Sequence, residues 1–375
     1  MTDSSKPKIL CFYFPQFHPN AINDELWGPG FTEWTYVSVT RPRFRGHYQP
    51  QIPADLGFYD LRLEQTRIQQ AELARKYGIY GFCYYHYWFN GKRVLSAPLD
   101  AMLASGNPDL PFCYAWANEN WTRTWDGLDH EIQIAQNYND EDHLEHIRWL
   151  CESVLSDRRY IRIHNKPLLL ICRLDRIPDL SKVILMWQDY AKAHGFEGLY
   201  LCAVKNGFIS LFDQEIIDYG FDAIVDFQPN RNNFPPPRGL RSFIYSMARR
   251  YIPPALYQKI KISVSANNIQ NYRRMVEGLI KRTWPTQYRK FPCAFPSFDN
   301  SPRRNSPTII QNDSPELYKR FLKDCISKVK TYPDEEQLVF INAWNEWGEG
   351  CHLEPDRKFG RAFLEATQAA LSEDS

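Results

Sequence analysis

The chain has 375 residues, with Lys+Arg 45 against Asp+Glu 44 and a formal net charge of +1. With charges so balanced and no long block of one sign, nothing in it attracts nucleic acid or anionic lipid, and the length allows one large α/β barrel or two modest domains. Aromatic residues make up 15% of it, with Trp 11; interleaved with His, Asn, Glu and Asp, they suit either sugar rings, whose C–H faces stack on indole or phenol, or a Tyr-rich core.

The opening "MTDSSKPKILCFYFPQFHP" lacks the basic start, longer apolar run and small-residue cleavage site of an export signal. No stretch approaches the roughly 18 apolar residues of a spanning helix. A cytoplasmic protein without a membrane span is the expectation. Cys 9 is an odd count, scattered and never spaced CxxC, which predicts reduced, buried thiols.

Eight short apolar runs, rich in β-branched and aromatic residues, read as strands. In chain order they are "KILCFYFPQF" (8–17), "GIYGFCYYHYWF" (78–89), "LPFCYAWANENW" (110–121), "KPLLLICRL" (166–174), "LYLCAVKNG" (199–207), "FDAIVDFQP" (221–229), "FPCAFPSFDN" (291–300) and "LVFINAWNEW" (338–347). Amphipathic stretches separate them. Helices are predicted from Asp60, Ser96, Asp140 and Asp179, each residue taken as an N-cap, and at "IIDYG", "NYRRMVEGLIKRTW", "SPELYKRFLKDCISKVK" and "RAFLEATQAALS". Strand alternating with helix eight times predicts a single-domain (β/α)₈ TIM barrel spanning 1–375, because parallel strands need crossovers and helices must cover the outside. The stretch of about 230–290 is longer than a simple crossover and is expected to be an excursion between strands six and seven, walling one side of the site. A doubly wound sheet would carry a glycine-rich phosphate loop after strand one. Here that position reads "FPQFHPN", and no GxGxxG or GxxxxGK[ST] occurs.

In a barrel the site forms where strands reach their carboxyl ends. Strand one ends in Gln16 and His18, strand two in Tyr85, His86, Trp88 and Asn90, and strand three in Trp116, Asn118, Glu119, Asn120 and Trp121. Strand six presents Asp226 and Gln228, strand seven Asp299 and Asn300, and strand eight Asn342, Trp344, Asn345 and Glu346. The opposite ends are plainer. Loops collect polar residues anyway, but Trp, His, Asn and Glu are not the Gly, Ser and Lys of a solvated turn. Convergence of His18, His86, Glu119 and Asp226 on a metal is a rival reading that lacks an HxH or HxxxH pair. No metal or cofactor is called for.

The densest cluster is "INAWNEWGEGCHLEP" (341–355). Glu346 and Glu349, three residues apart with glycines beside them, are either a carboxylate pair facing one cavity or helix N-terminal acids. Glycoside cleavage needs such a pair, one to take a proton and one to give it, with the acid's pKa raised by apolar surroundings such as Trp344 and Trp347.

With "FYFPQFHPNAINDELWGPGFTEW", "YYHYWFNGKRVL" and "YAWANENWTRTWDG", this cluster resembles the WbsX-type glycosyltransferase family, also described as glycoside hydrolase family 99-like. The likeness runs over nearly the whole chain. Family 99 comprises retaining (β/α)₈ endo-α-mannosidases and α-mannanases with an Asn-Glu-Trp-x-Glu-Gly motif after the last strand. The resemblance implies that Glu346 takes the proton of the sugar's 2-hydroxyl, which closes a 1,2-anhydro sugar, while Glu349 protonates the leaving oxygen and then activates water. The remaining candidates, placed as substrate-binding residues, are Tyr13, Glu33, Trp34, Tyr85, His86, Trp88, Asn118, Glu119, Trp121, Asp226, Asn345, Trp347 and Glu354. Each aromatic ring fits core as well as subsite, and Glu354 either binds a hydroxyl or pins its loop. The expected partner is an oligosaccharide or polysaccharide. Rival functions are a glycosyltransferase of surface-polysaccharide assembly, against which the absence of a phosphate loop and of a convincing DxD pair argues, and a non-catalytic glycan-binding barrel.

Overall fold

The computed structural model describes residues 6–123, 128–236 and 267–372. Eight parallel strands close into a barrel: β1 (Lys8–Tyr13), β2 (Ile79–Phe89), β3 (Phe112–Trp116), β4 (Lys166–Ile171), β5 (Tyr200–Val204), β6 (Ala223–Asp226), β7 (Arg289–Ala294) and β8 (Leu338–Ile341). Each pairs with the next in chain order. β8 then returns to β1 with Lys8 opposite Leu338, which leaves the barrel no free edge. All eight predicted strands are present; apart from β2, which runs to Phe89 as predicted, each ends short of its predicted carboxyl end, where the chain leaves the ladder to build the site.

The strands are buried on both faces, as a barrel filled inside and sheathed outside requires. Alternation sorts their side chains. Phe12 points inward, its ring 5.6 Å from Phe340, 5.5 Å from Tyr85 and 5.2 Å from Phe227. Its neighbour Tyr13 faces outward, packing on Phe82 and Tyr84 and donating to Gln70 Oε1 at 2.6 Å.

The predicted helices form, with some caps moved. In chain order the helices include α1 (Ala21–Trp27), α2 (Glu33–Val39), α3 (Glu64–Lys76), α4 (Ala97–Ser105), α5 (Asp140–Ser153), α6 (Leu180–Ala193), α7 (Asp213–Asp218), α8 (Tyr272–Ile280), α9 (Pro315–Val329) and α10 (Ala362–Ser372). The short α1 and α2, in the loop after β1, have too little periodicity to be read from the sequence. Asp60 does not cap α3: its carboxylate binds Arg62, and Leu63 occupies the cap position. At α5 the cap is Asn139 rather than Asp140, its side chain accepting from Asp142 N at 2.9 Å. Ser96 and Asp179 hold the cap positions of α4 and α6 without a side-chain bond.

In the expected excursion at about 230–290, residues 237–266 lie outside those described. Beyond them Asn268–Asn271 pairs with Thr308–Gln311, and α8 buries Tyr272, Met275, Val276 and Leu279. All nine cysteines are buried and unpaired. Among the described residues no helix is long and apolar enough to cross a membrane.

Candidate active site

At the carboxyl end of β8 the chain turns back on itself. Asn345–Glu346 pairs antiparallel with Cys351–His352, and the 3₁₀ turn Trp347–Glu349 closes the hairpin. Gly350 ends that turn at φ +52, a left-handed conformation that suits glycine. Gly348 is demanded by space. A Cβ there would overlap Glu33 Oε1 and lie 2.5 Å from Arg303 Nε.

The hairpin brings both glutamates to a cavity of about 320 Å³ at the barrel mouth. Its walls are Phe14 and Gln16 after β1, Tyr85 and Tyr87 on β2, Ala117, Glu119, Asn120 and Trp121 after β3, and Cys172 after β4. Val204, Asn206, Phe208, Phe227, Arg303, Arg304, Glu346 and Glu349 complete it. Aromatic rings beside carboxylates, amides and arginines form a lining on which a polyhydroxylated ring could both stack and hydrogen-bond.

Arg303 organises the acids. Its Nη2 lies 2.8 Å from Glu346 Oε2, its Nη1 3.3 Å from Glu349 Oε1 and its Nε 2.8 Å from Glu33 Oε1, while its guanidinium sits 4.9 Å over the Phe14 ring. Burial pushes the Glu346 carboxyl up to about 8; Arg303 opposes the shift, and the charges of Glu349 and Glu33 add to it. The upward push thus falls on the residue that the resemblance casts as base. Burial likewise raises Glu33, against Arg303. The Tyr85 and Tyr87 phenols are driven well above their usual range by burial and then by Glu346.

Of the other candidates, Tyr85, Glu119 and Trp121 line the cavity. Glu119 is paired with Arg173 at 2.7 Å, and Arg173 is held in turn by Asp175. Strand alternation sends His86 and Trp88 to the opposite face from Tyr85 and Tyr87. His86 meets His146 of α5 at 3.0 Å, with its pKa lowered by burial to about 3, and Trp88 donates to Asp142 at 2.7 Å. Tyr13 faces outward for the same reason.

Asp226 turns to Arg282, bound at 2.8 and 2.9 Å; burial alone would raise its pKa, and Arg282 brings it below the usual value. With His86 and Asp226 turned away from Glu119, the convergence weighed for a metal does not form. Trp34 is core, its indole donating to Tyr59 O at 2.8 Å. Trp347 stacks on His352 at 3.7 Å and donates to Glu354 at 2.7 Å.

Three candidates act as clamps on the strand ends. Asn118 exchanges hydrogen bonds with the Arg173 backbone at 2.7 and 2.9 Å, joining β3 to β4. Asn345 does the same with Phe14 at 2.8 and 3.0 Å, joining β8 to β1. Glu354 accepts from Gln70, Tyr59 and Trp347, so of its two expected roles it fills that of loop anchor. Burial raises its carboxyl to about 7. Glu33, fully buried in α2, stands behind Arg303 and not on the cavity wall.

Arg303 is the principal residue that the sequence reading missed, followed by Phe14, Tyr87 and Phe208. Its signal lies in "FDNSPRRN", which continues the end of strand seven three residues beyond Asn300. Tyr87 needed only the period-two rule applied outward from Tyr85.

Two proteins, each named uncharacterized protein WxcX, from two strains of Xanthomonas campestris pv. campestris, are 37% identical to this chain over 367 residues. That match covers 97% of this chain and 49% of theirs, so the chain spans about half the length of the curated relatives it matches. Among solved structures, a GH99 endo-α-mannosidase from Bacteroides thetaiotaomicron in complex with bis-tris propane aligns with TM-score 0.56 at 12% identity, covering 100% of this chain and 98% of that one. A glycoside hydrolase-like protein aligns with TM-score 0.58 at 15% identity, covering 98% and 94%. At such identities the likeness carries the barrel and no further. The Glycosyltransferase WbsX family description matches residues 9–367, and the chain belongs to that family.

Proposed function

We propose that the chain is a glycoside hydrolase-like enzyme acting on an α-linked glycan whose reacting sugar bears a free 2-hydroxyl, as mannose does, with retention of configuration. The observation that carries it is the pairing of Glu346 and Glu349 on one wall of an aromatic cavity, bridged by Arg303. In this reading Glu346 takes the 2-hydroxyl proton, O2 attacks C1, and the C1–O bond to the leaving group breaks as Glu349 donates its proton to the departing oxygen. Water then attacks C1 with Glu349 as base, the C1–O2 bond opens, and O2 recovers its proton from Glu346. Arg303 faces both carboxylates and favours whichever is ionised.

The reaction requires an ionised Glu346, whereas burial pushes that carboxyl up to about 8. Arg303 reduces the cost of moving the proton to Glu349 before reaction. No cofactor enters this scheme, and a cytoplasmic glycan intermediate or imported oligosaccharide is the substrate pool proposed. The test is incubation with α-mannosyl oligosaccharides, following products by anomeric NMR. Glu346→Gln or Glu349→Gln retaining full turnover would overturn the scheme.

A second reading is transfer of the glycosyl unit, which the family description as a glycosyltransferase favours; O-antigen or other surface-polysaccharide assembly is the setting proposed for it. The same pair serves it if a sugar hydroxyl replaces water in the second step. Tight calorimetric binding of a nucleotide sugar would favour this reading, and binding of glycans with no turnover would reduce the barrel to a glycan-binding protein.

A further inference from the structure

Behind the carboxylate pair stands a third acid that the reaction does not use. Glu33, at the start of α2, has no exposed surface, and its Oε1 lies 2.8 Å from Arg303 Nε. Its Oε2 is buried without a hydrogen-bond partner among the described residues. No Cβ fits between this contact and the hairpin, because Gly348 lies directly against both groups. One guanidinium therefore serves three carboxylates, two facing the cavity and one facing away.

We infer that Glu33 is a positioning residue: it takes one edge of the Arg303 guanidinium from behind and so sets how much positive charge remains for Glu346 and Glu349. The inference rests on the reading of those two as the acid–base pair. An Arg303 neutralised by Glu33 leaves the pair one anion and one proton, the division that an acid working beside a base needs. Without Glu33, the whole guanidinium charge would fall on the pair and favour loss of that proton.

The other groups facing this cluster are few. Tyr85 and Tyr87 of β2 and Cys351 of the hairpin are all pushed up by burial first and by the glutamates next, so they stay neutral near pH 7. Cys172, also raised by burial, lines the same cavity with the charged Glu119 and Arg304.

The experiment is an infrared titration of protonated-carboxyl absorption in the intact chain, which needs no substrate. Wild type should hold protonated-carboxyl absorption at neutral pH from Glu354 and from Glu346, and the band sought is the component that Glu346→Gln removes and Glu354→Gln leaves. In Glu33→Gln the midpoint of that band should fall by about one pH unit or more, and in Arg303→Gln it should rise by a similar amount. Glu33→Asp, which keeps the charge but retracts it from Nε, should fall between wild type and Glu33→Gln, and it provides the measurement if the amide variant does not fold. A residue with only a structural role would lower the melting temperature and leave the midpoint in place. An unmoved or raised midpoint in Glu33→Gln, with Glu346→Gln and Glu349→Gln inactive, overturns this inference alone. Turnover persisting in either of the latter two variants overturns the reading beneath it.

Discussion

Replacing Gly348 by alanine tests the site's construction at its tightest point. The added Cβ would overlap Glu33 Oε1 and lie 2.5 Å from Arg303 Nε, and neither neighbour is a loose surface chain. Glu33 is wholly buried and the Arg303 side chain is 10% exposed. The carboxylate must therefore retreat by about an ångström or more, which breaks the charge-assisted bond at Nε. Overpacking alone costs about 1–3 kcal/mol, and breaking a buried ion pair costs about 3–5 kcal/mol. The movement that relieves the first causes the second, so the two do not add, and a loss of about 3–5 kcal/mol is expected. That is a large share of a domain's usual reserve of about 5–15 kcal/mol. Urea unfolding followed by tryptophan fluorescence measures it. The double variant Gly348→Ala/Glu33→Ala restores room for the methyl group and should be less destabilised than the two single costs summed. Wild-type stability in Gly348→Ala, or strict additivity in the cycle, would refute the packing argument.

Three further outcomes follow from the buried ionisable groups. Because the pair must hold one proton, which passes to Glu349 for reaction, and the Glu346 carboxyl lies at about 8, kcat/KM should fall about tenfold per pH unit above that value; a profile that stays level above it would remove the shared proton from the scheme. The raised folded-state pKa of Glu346 means that its contribution to stability is full below the unfolded value of about 4.5 and is lost as pH rises toward about 8. Glu346→Gln should therefore gain on wild type by up to about 1.4 kcal/mol per pH unit across that window in pH-resolved denaturation, even as it loses turnover; a constant difference would show that the group is not held protonated. The His86–His146 pair has the opposite sign. Burial depresses both, His86 to about 3, so their contribution is present above about 6.5 and is lost as pH falls from there toward about 3. In acid titration followed by circular dichroism, His86→Phe/His146→Phe should flatten the slope in that range, and an unchanged slope would remove the pair as its source.

How far the site could be read depended on the distance over which its residues are coupled. The strand ends were legible because apolar runs and their polar stops are local properties, and Glu346 with Glu349 stood out because one hairpin carries both. The choice of His86 and Trp88 over Tyr87 failed at a particular step: residue type was weighed without assigning each position on β2 to an inner or outer face. Glu33 and Glu354 are candidates on the sequence alone, but their partners Arg303, Tyr59 and Gln70 lie 270, 295 and 284 residues away in the chain. No local pattern relates such positions.

The amino-acid sequence by itself determined eight strands in order around a barrel, the end at which chemistry collects and the acidic hairpin after the last strand, because periodicity and chain reversal are properties of neighbouring residues. Only the tertiary structure decided which side chains enter the cavity and which serve as clamps behind it. It alone joined Glu33, Arg303, Glu346 and Glu349 into one charge cluster. Barrel closure brings the end of β8 against the loop after β1 and the arginines after β7, and in that low-dielectric contact burial raises Glu33 and Glu346 while one guanidinium opposes the shift, coupling acids that the linear sequence leaves unrelated.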